Sequence, residues 1–165
     1  MILIAIGANL DHPRFGPPLA TCEAALAALE EGGVTVLQCS RWYRSAPVPA
    51  SDQPWFINGV AKVATDLEPL GLLAVLHHIE ADFGRERRER NEARLLDLDL
   101  LAYDDYVSKW GEALELPHPR LAERAFVLLP LAELAPDWRH PVSGRTVAEL
   151  IRDLPPGQAI EPLAD

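Results

Sequence analysis

"RLLDLDLLAYDD", residues 94–105, alternates leucine with aspartate inside a run that otherwise has the composition of a buried strand. Successive side chains of an extended chain point to opposite faces, so Leu96, Leu98 and Leu100 share one side while Asp97 and Asp99 share the other. One face is built to be dry and the other is doubly charged. The spacing therefore predicts a strand whose leucine side is covered by helices and whose acid side faces an open groove, where unpaired carboxylates escape the cost of burial.

Working outward, "ILIAIGANL" reads as a buried and central first strand that ends at Gly7 and becomes a loop as far as Pro18. Leu19, Cys22, Leu26 and Leu29 recur at helical spacing before Gly32-Gly33, which predicts a helix over 19–31. "VTVLQCSRWYRS" and "WFINGVAKVAT" are β-branched and aromatic, and read as two strands joined by a proline-rich loop. Pro69 opens a second helix whose apolar face is Leu72, Leu76, Ile79 and Phe83. Short strand signals follow around Val107 and Leu114 to Leu116. "ERAFVLLPLAEL" reads as a helix broken near Pro130, and "TVAELIRDL" as a last short helix. The order β-α-β-β-α-β predicts an α+β fold, the ferredoxin-like plait, in which helices cover one face of an antiparallel sheet, with a C-terminal extension.

The chain has 165 residues, 48% of them hydrophobic, which fits one domain over 1–165. No apolar run approaches the roughly 20 residues of a membrane span, so a soluble, cytoplasmic protein with no membrane contact is expected, and a monomer. The net charge of -10 repels a nucleic-acid backbone, and no nucleic-acid partner is expected. Cys22 and Cys39 have no CxxC spacing and read as buried thiols.

Two carboxylates about 6 Å apart repel by about 3 kcal/mol at an effective dielectric near 20, which a shared hard cation such as magnesium relieves. A D-x-D by itself also fits an ordinary solvated strand face. The neighbouring loop adds weight: Arg85, Arg87, Arg88, Arg90 and Arg94 fall within ten residues of a chain whose only lysines are Lys62 and Lys109. Carboxylates beside guanidinium groups suit a magnesium-bound polyphosphate. Glu86, Glu89 and Glu92 could instead neutralise those arginines in solvent. Neither G-x-x-x-x-G-K-[ST] nor G-x-G-x-x-G is present, which excludes the glycine-cradled phosphate sites. Phe56 and Asn58 alternate onto one strand face, where a ring and an amide could hold a flat heterocycle, or simply pack.

"IAIGANL", "YRSAPVPASDQPWFINGV", "LLDLDLLAYDD" and "LPHPRLAERAFVLLPLAELAPD", in this order and spacing, resemble the 6-hydroxymethyl-7,8-dihydropterin pyrophosphokinase family of folate synthesis, from about Ile2 to about Leu154. The resemblance implies transfer of the β,γ-pyrophosphoryl unit from ATP to the pterin hydroxymethyl oxygen, with two Mg2+ ions and release of AMP. It implies metal binding by Asp97 and Asp99 and catalytic roles for these acids with Arg85 and Arg94. ATP contacts would come from His77, Glu80, Arg87, Arg94, Leu100, His118 and Arg124, and the pterin pocket from Ser45, Ala46, Val48, Phe56, Asn58 and Phe126. Asp97 would serve both substrates. "GRERRERNEAR" would act as a lid, ordered by phosphate and among the most mobile segments without it.

Some residues depart from the family pattern. "NEARLL" stands where a tryptophan-glycine-proline-arginine-threonine run is usual, with Asn91, Glu92 and Leu95 unexpected, and His77, Glu115, Pro119 and Ala8 are milder changes. A D-x-D pair on a plait strand would serve another magnesium-dependent nucleotidyl or phosphoryl transferase equally well, and a pterin or nucleotide sensor would keep the same pocket.

Overall fold

The computed structural model describes residues 1–84 and 95–164. Arg85, Arg87, Arg94 and the expected lid lie outside the described residues. Strand β1 (Ile2–Ala8) leads into helix α1 (Pro18–Glu31), followed by strands β2 (Thr35–Cys39), β3 (Tyr43–Ser45) and β4 (Phe56–Ala64). Helix α2 (Pro69–Asp82) and strand β5 (Asp97–Tyr103) come next, then a 3-10 turn at Leu121–Glu123, helices α3 (Ala125–Leu134) and α4 (Val147–Arg152), and strand β6 (Ile160–Pro162).

The sheet runs β5-β1-β4-β3-β6, with β2 also paired to β4, and every pairing is antiparallel. β1 is central, as its unbroken apolar run requires. The order β-α-β-β-α-β holds once β2 and β3 are taken as two pieces of one strand, which is the ferredoxin-like plait.

The single strand expected over 34–45 is interrupted at Ser40 to Trp42. Ser40 takes over the ladder there, donating its N–H to the Val60 carbonyl at 2.9 Å and accepting the Val60 N–H on Oγ at 3.0 Å. The Trp42 ring lies so close over Gly59 that a Cβ at that position would come within 2.7 Å of it, so the bend requires glycine. A second irregularity leaves Leu37 out of register between Val36 and Gln38 and turns it to solvent.

Helices cover both faces rather than one. Ile4, Ile6, Leu98 and Leu100 pack against Cys22, Leu29, Leu72 and Leu76 of α1 and α2, the dry side foreseen for the leucines. On the opposite face Leu3, Val60 and Leu101 meet Val127, Leu128 and Leu131 of α3 and Val147 and Leu150 of α4, so the C-terminal extension builds a second core. A bulge in β5 serves both cores: Ile4 faces Leu100 and Leu3 faces Ala102, which leaves Leu101 as the inserted residue. Leu100 therefore joins the first core, while Leu101 and Ala102 both join the second.

No strand forms around Val107 or Leu114 to Leu116. Ser108 replaces the ladder by donating its N–H to the Leu116 carbonyl and accepting the Leu116 N–H on Oγ, both at 2.8 Å, while Leu114 and Leu116 stay buried. The helix expected to break near Pro130 runs through it, because burial of Leu128 and Leu131 on either side outweighs one missing hydrogen bond. α4 starts where expected, on a capping box formed by Thr146 and Glu149. β6, three residues long and ending in proline, carries no strand pattern of its own in the sequence. No helix among the described residues is long and apolar enough to cross a membrane.

Candidate active site

The second face is only half covered. Beyond Leu3, Val60 and Leu101, the same strands carry Ala5, Gly7, Asn58, Phe56, Asp99 and Asp97, which reach past α3 and floor a cleft of about 470 Å³. One wall is the β3–β4 loop, Ala46 to Pro49 with Gln53. The other is the connection from β5 to α3, with Glu115, His118, Pro119, Arg120, Arg124 and Phe126.

Strand register makes the cleft polarised. Gly7 pairs with Asn58 on one side and Asp97 on the other, and Ala5 pairs with Val60 and Asp99. Two inter-strand spacings separate the amide from the acids by roughly 10 Å. Gly7 is needed between them: a Cβ there would lie 2.6 Å from Asn58 Oδ1. The buried Asn58 donates from Nδ2 to Oγ of the buried Ser45, so hydroxyl and amide are held as one unit beside Phe56. Asn9, also buried, donates to Gln53 Oε1 and to the Pro54 carbonyl, both at 3.1 Å, and ties the first wall to the end of β1.

At the acidic end, Arg124 Nη1 lies 3.9 Å from Asp99 Oδ2, and the guanidinium sits 5.3 Å from the centre of the Phe126 ring. Burial lowers the Arg124 pKa and Asp99 opposes that shift; a guanidinium keeps its charge regardless. Burial, and then the nearby Arg124 charge, push the His118 imidazole down to about 4, although Asp97 pulls the other way. His118 is thus neutral at pH 7. Its Nδ1 accepts the Arg120 N–H at 3.1 Å, which places the ring proton on Nε2. The His118 backbone N–H donates to the Leu101 carbonyl at 2.8 Å and so anchors the loop to β5.

The cleft brings together Ser45, Ala46, Val48, Phe56, Asn58, Asp97, Asp99, His118, Arg124 and Phe126. His77, Glu80 and Leu100 are not among its lining residues. His77 is exposed on α2, and the Leu100 side chain is packed in the first core. Glu80 is buried and accepts the Leu98 N–H at 2.9 Å, anchoring β5 to α2. Gly7, Gln53, Glu115 and Arg120 line the cleft without having been assigned to it from sequence. For Gly7 the signal was a glycine closing an apolar strand; the other three lie in loops, whose course only packing reveals.

The family model for 7,8-dihydro-6-hydroxymethylpterin-pyrophosphokinase (HPPK) matches residues 3–136. The chain is similar to the 2-amino-4-hydroxy-6-hydroxymethyldihydropteridine pyrophosphokinase of Synechocystis sp., 41% identical over 153 residues, covering 92% of this chain and 75% of that one. It is likewise similar to the protein of that name from Pseudomonas aeruginosa, 42% identical over 155 residues, covering 93% and 91% of the two chains. Among solved structures, HPPK-DHPS from Plasmodium falciparum aligns with a TM-score of 0.71 at 15% identity, covering 92% of this chain, which spans 42% of that longer one. That structure supports the fold; the matched residues 3–136, which contain the whole floor and both walls of the cleft, carry the assignment. The chain belongs to the 7,8-dihydro-6-hydroxymethylpterin pyrophosphokinase family.

Proposed function

We propose that this protein transfers the pyrophosphoryl unit of ATP to 6-hydroxymethyl-7,8-dihydropterin in the polarised cleft, releasing AMP. The observation that carries the reading is the floor itself. A hydroxyl–amide pair beside Phe56 at one end suits a flat, hydrogen-bonding heterocycle, and two acids beside Arg124 at the other suit a metal-bound triphosphate. Ser45, Ala46, Val48, Phe56, Asn58 and Phe126 would hold the pterin. His118, as a neutral Nε2–H donor, and Arg124 would hold ATP, together with Arg85, Arg87 and Arg94.

The donor set at Asp97 and Asp99 fits magnesium. Both are oxygen donors, half-exposed on the cleft side of β5. Magnesium favours such a site, binding through one or two carboxylates and leaving positions for phosphate oxygens. When bound there, two Mg2+ ions would neutralise the charge that spreads over the phosphates.

The chain's own residues then have positioning work to do. The pterin alcohol oxygen forms a bond to the β-phosphorus, the bond from that phosphorus to the bridging oxygen of AMP breaks, and the alcohol proton is released. The strand register sets the distance between the two substrates, and Arg124 offers a fixed cation to the transferring group. A cytoplasmic monomer without nucleic-acid partners fits the net charge of -10.

Incubation with magnesium, ATP and hydroxymethyl-dihydropterin should yield AMP and the pterin pyrophosphate, and chelation of the metal should abolish the yield. Formation of ADP or inorganic pyrophosphate in place of AMP would refute the assignment.

A further inference from the structure

The residues just before and at the start of β6 join the two walls of the cleft. Gln158 Oε1 accepts the Ala125 N–H at 2.9 Å, and its Nε2 donates to the Glu123 carbonyl at 2.8 Å and the Pro155 carbonyl at 3.2 Å. The amide thus brackets Arg124 from both sides along the backbone. The very next residue reaches the other wall: the Ala159 carbonyl accepts the Ala46 N–H at 2.9 Å, and Ile160 pairs with Ser45.

The first N–H groups of a helix have no partner within it and ordinarily take a side chain from the N-cap residue. Arg124 is that residue in α3 and makes no side-chain cap. A guanidinium has donors only and cannot accept that N–H, so the acceptor for Ala125 comes from Gln158, 33 positions away, while the Arg124 side chain faces Asp99 and the ring of Phe126. Only one orientation of the amide serves, because Ala125 presents a donor and Glu123 an acceptor.

We infer that Gln158 is a positioning residue for pyrophosphoryl transfer: it fixes the backbone on either side of Arg124, so that the guanidinium stands at a set place in the cleft. The inference rests on the functional reading above. It implies that a residue outside the cleft, in a tail that the family match over 3–136 does not reach, controls how ATP is held.

The test is a double-mutant cycle in the full-length chain. Gln158→Leu keeps the bulk of the side chain and removes all three bonds, and should lower kcat/KM for ATP roughly 10- to 100-fold, as displacement by about 1 Å does in other sites. Combined with Arg124→Ala, it should cost less than about twofold further, because its effect passes through Arg124. If the two losses multiply, the inference is overturned. Should Gln158→Leu fail to fold, Gln158→Glu replaces it in the cycle, since it keeps the acceptor for Ala125 and loses only the donor.

A second readout needs no turnover. The side-chain protons of Arg124 feel the ring current of Phe126, and their NMR shifts should move toward free-arginine values in the Gln158 variants. Unchanged shifts would overturn the inference even with an active enzyme. A wild-type protein that releases no AMP refutes the functional reading instead, and the NMR comparison then decides the placement of Arg124 alone.

Discussion

The two faces of the sheet share their strands and differ in how far helices extend over them. On the first face α1 and α2 have 14 residues each, about 21 Å at 1.5 Å per residue, close to the roughly 23 Å of the seven-residue β1. They cover the strands from end to end, and Ile4, Ile6, Leu98 and Leu100 are at most 5% exposed. On the second face α3 has ten residues, about 15 Å, and α4 only six, so the far ends of the strands stay uncovered. The cleft is the part of the sheet that the second core does not reach. β5 shows both outcomes on one face, with Asp97 and Asp99 in the cleft and Leu101 and Ala102 in the core.

Substitutions on opposite sides of β5 should therefore fail in opposite ways. Under the proposed function, in which the two acids hold magnesium, Asp97→Ala or Asp99→Ala should cut AMP release by about three orders of magnitude, while thermal unfolding shifts by no more than about 2 °C. A variant with normal AMP production would break the contrast between the faces. Leu98→Ala, one residue away on the sealed side, should remove about 3 kcal/mol of stability in denaturant unfolding and leave KM for both substrates unchanged in the folded fraction.

Gly7→Ala sharpens the contrast within the cleft. Its Cβ, 2.6 Å from Asn58 Oδ1, must displace the amide, so KM for the pterin should rise about tenfold with KM for ATP unaltered. Equal changes in both constants would mean that the two ends of the floor do not act separately.

The smallest expected effect concerns His118. Its pKa near 4 in the folded protein lies below the roughly 6.5 of a free histidine, so folding favours the neutral ring. The corresponding stability is complete above about pH 6.5 and is lost as pH falls toward 4. His118→Asn should therefore flatten the loss of stability between pH 7 and pH 5 by about 1 kcal/mol, less than full linkage because the half-buried ring is partly screened by solvent. NMR titration of the wild-type ring should show the Nε2–H form throughout that range.

Local pattern carried much of this into view. Alternation of leucine and aspartate identified β5 and assigned its faces, because side-chain period is a property of the extended backbone alone. The 3.6-residue spacing located α1 and α2 to within a residue. Interruptions were harder to foresee where they depend on a partner far along the chain. Trp42 over Gly59 and Ser40 on Val60 divide one expected strand into two, and Ser108 takes both backbone groups of Leu116 where a strand was expected.

The sequence by itself determined the plait, the dry side of β5 and which residue types line the cleft, since periodicity and residue type are local quantities. Tertiary structure alone decided that the C-terminal helices cover half of the second face, and that Gly7 separates Asn58 from Asp97. It also decided that Gln158 caps the helix beside Arg124. Those facts arise from register and from contacts between residues dozens of positions apart, and the free energy of such contacts belongs to the packed chain rather than to any segment of it.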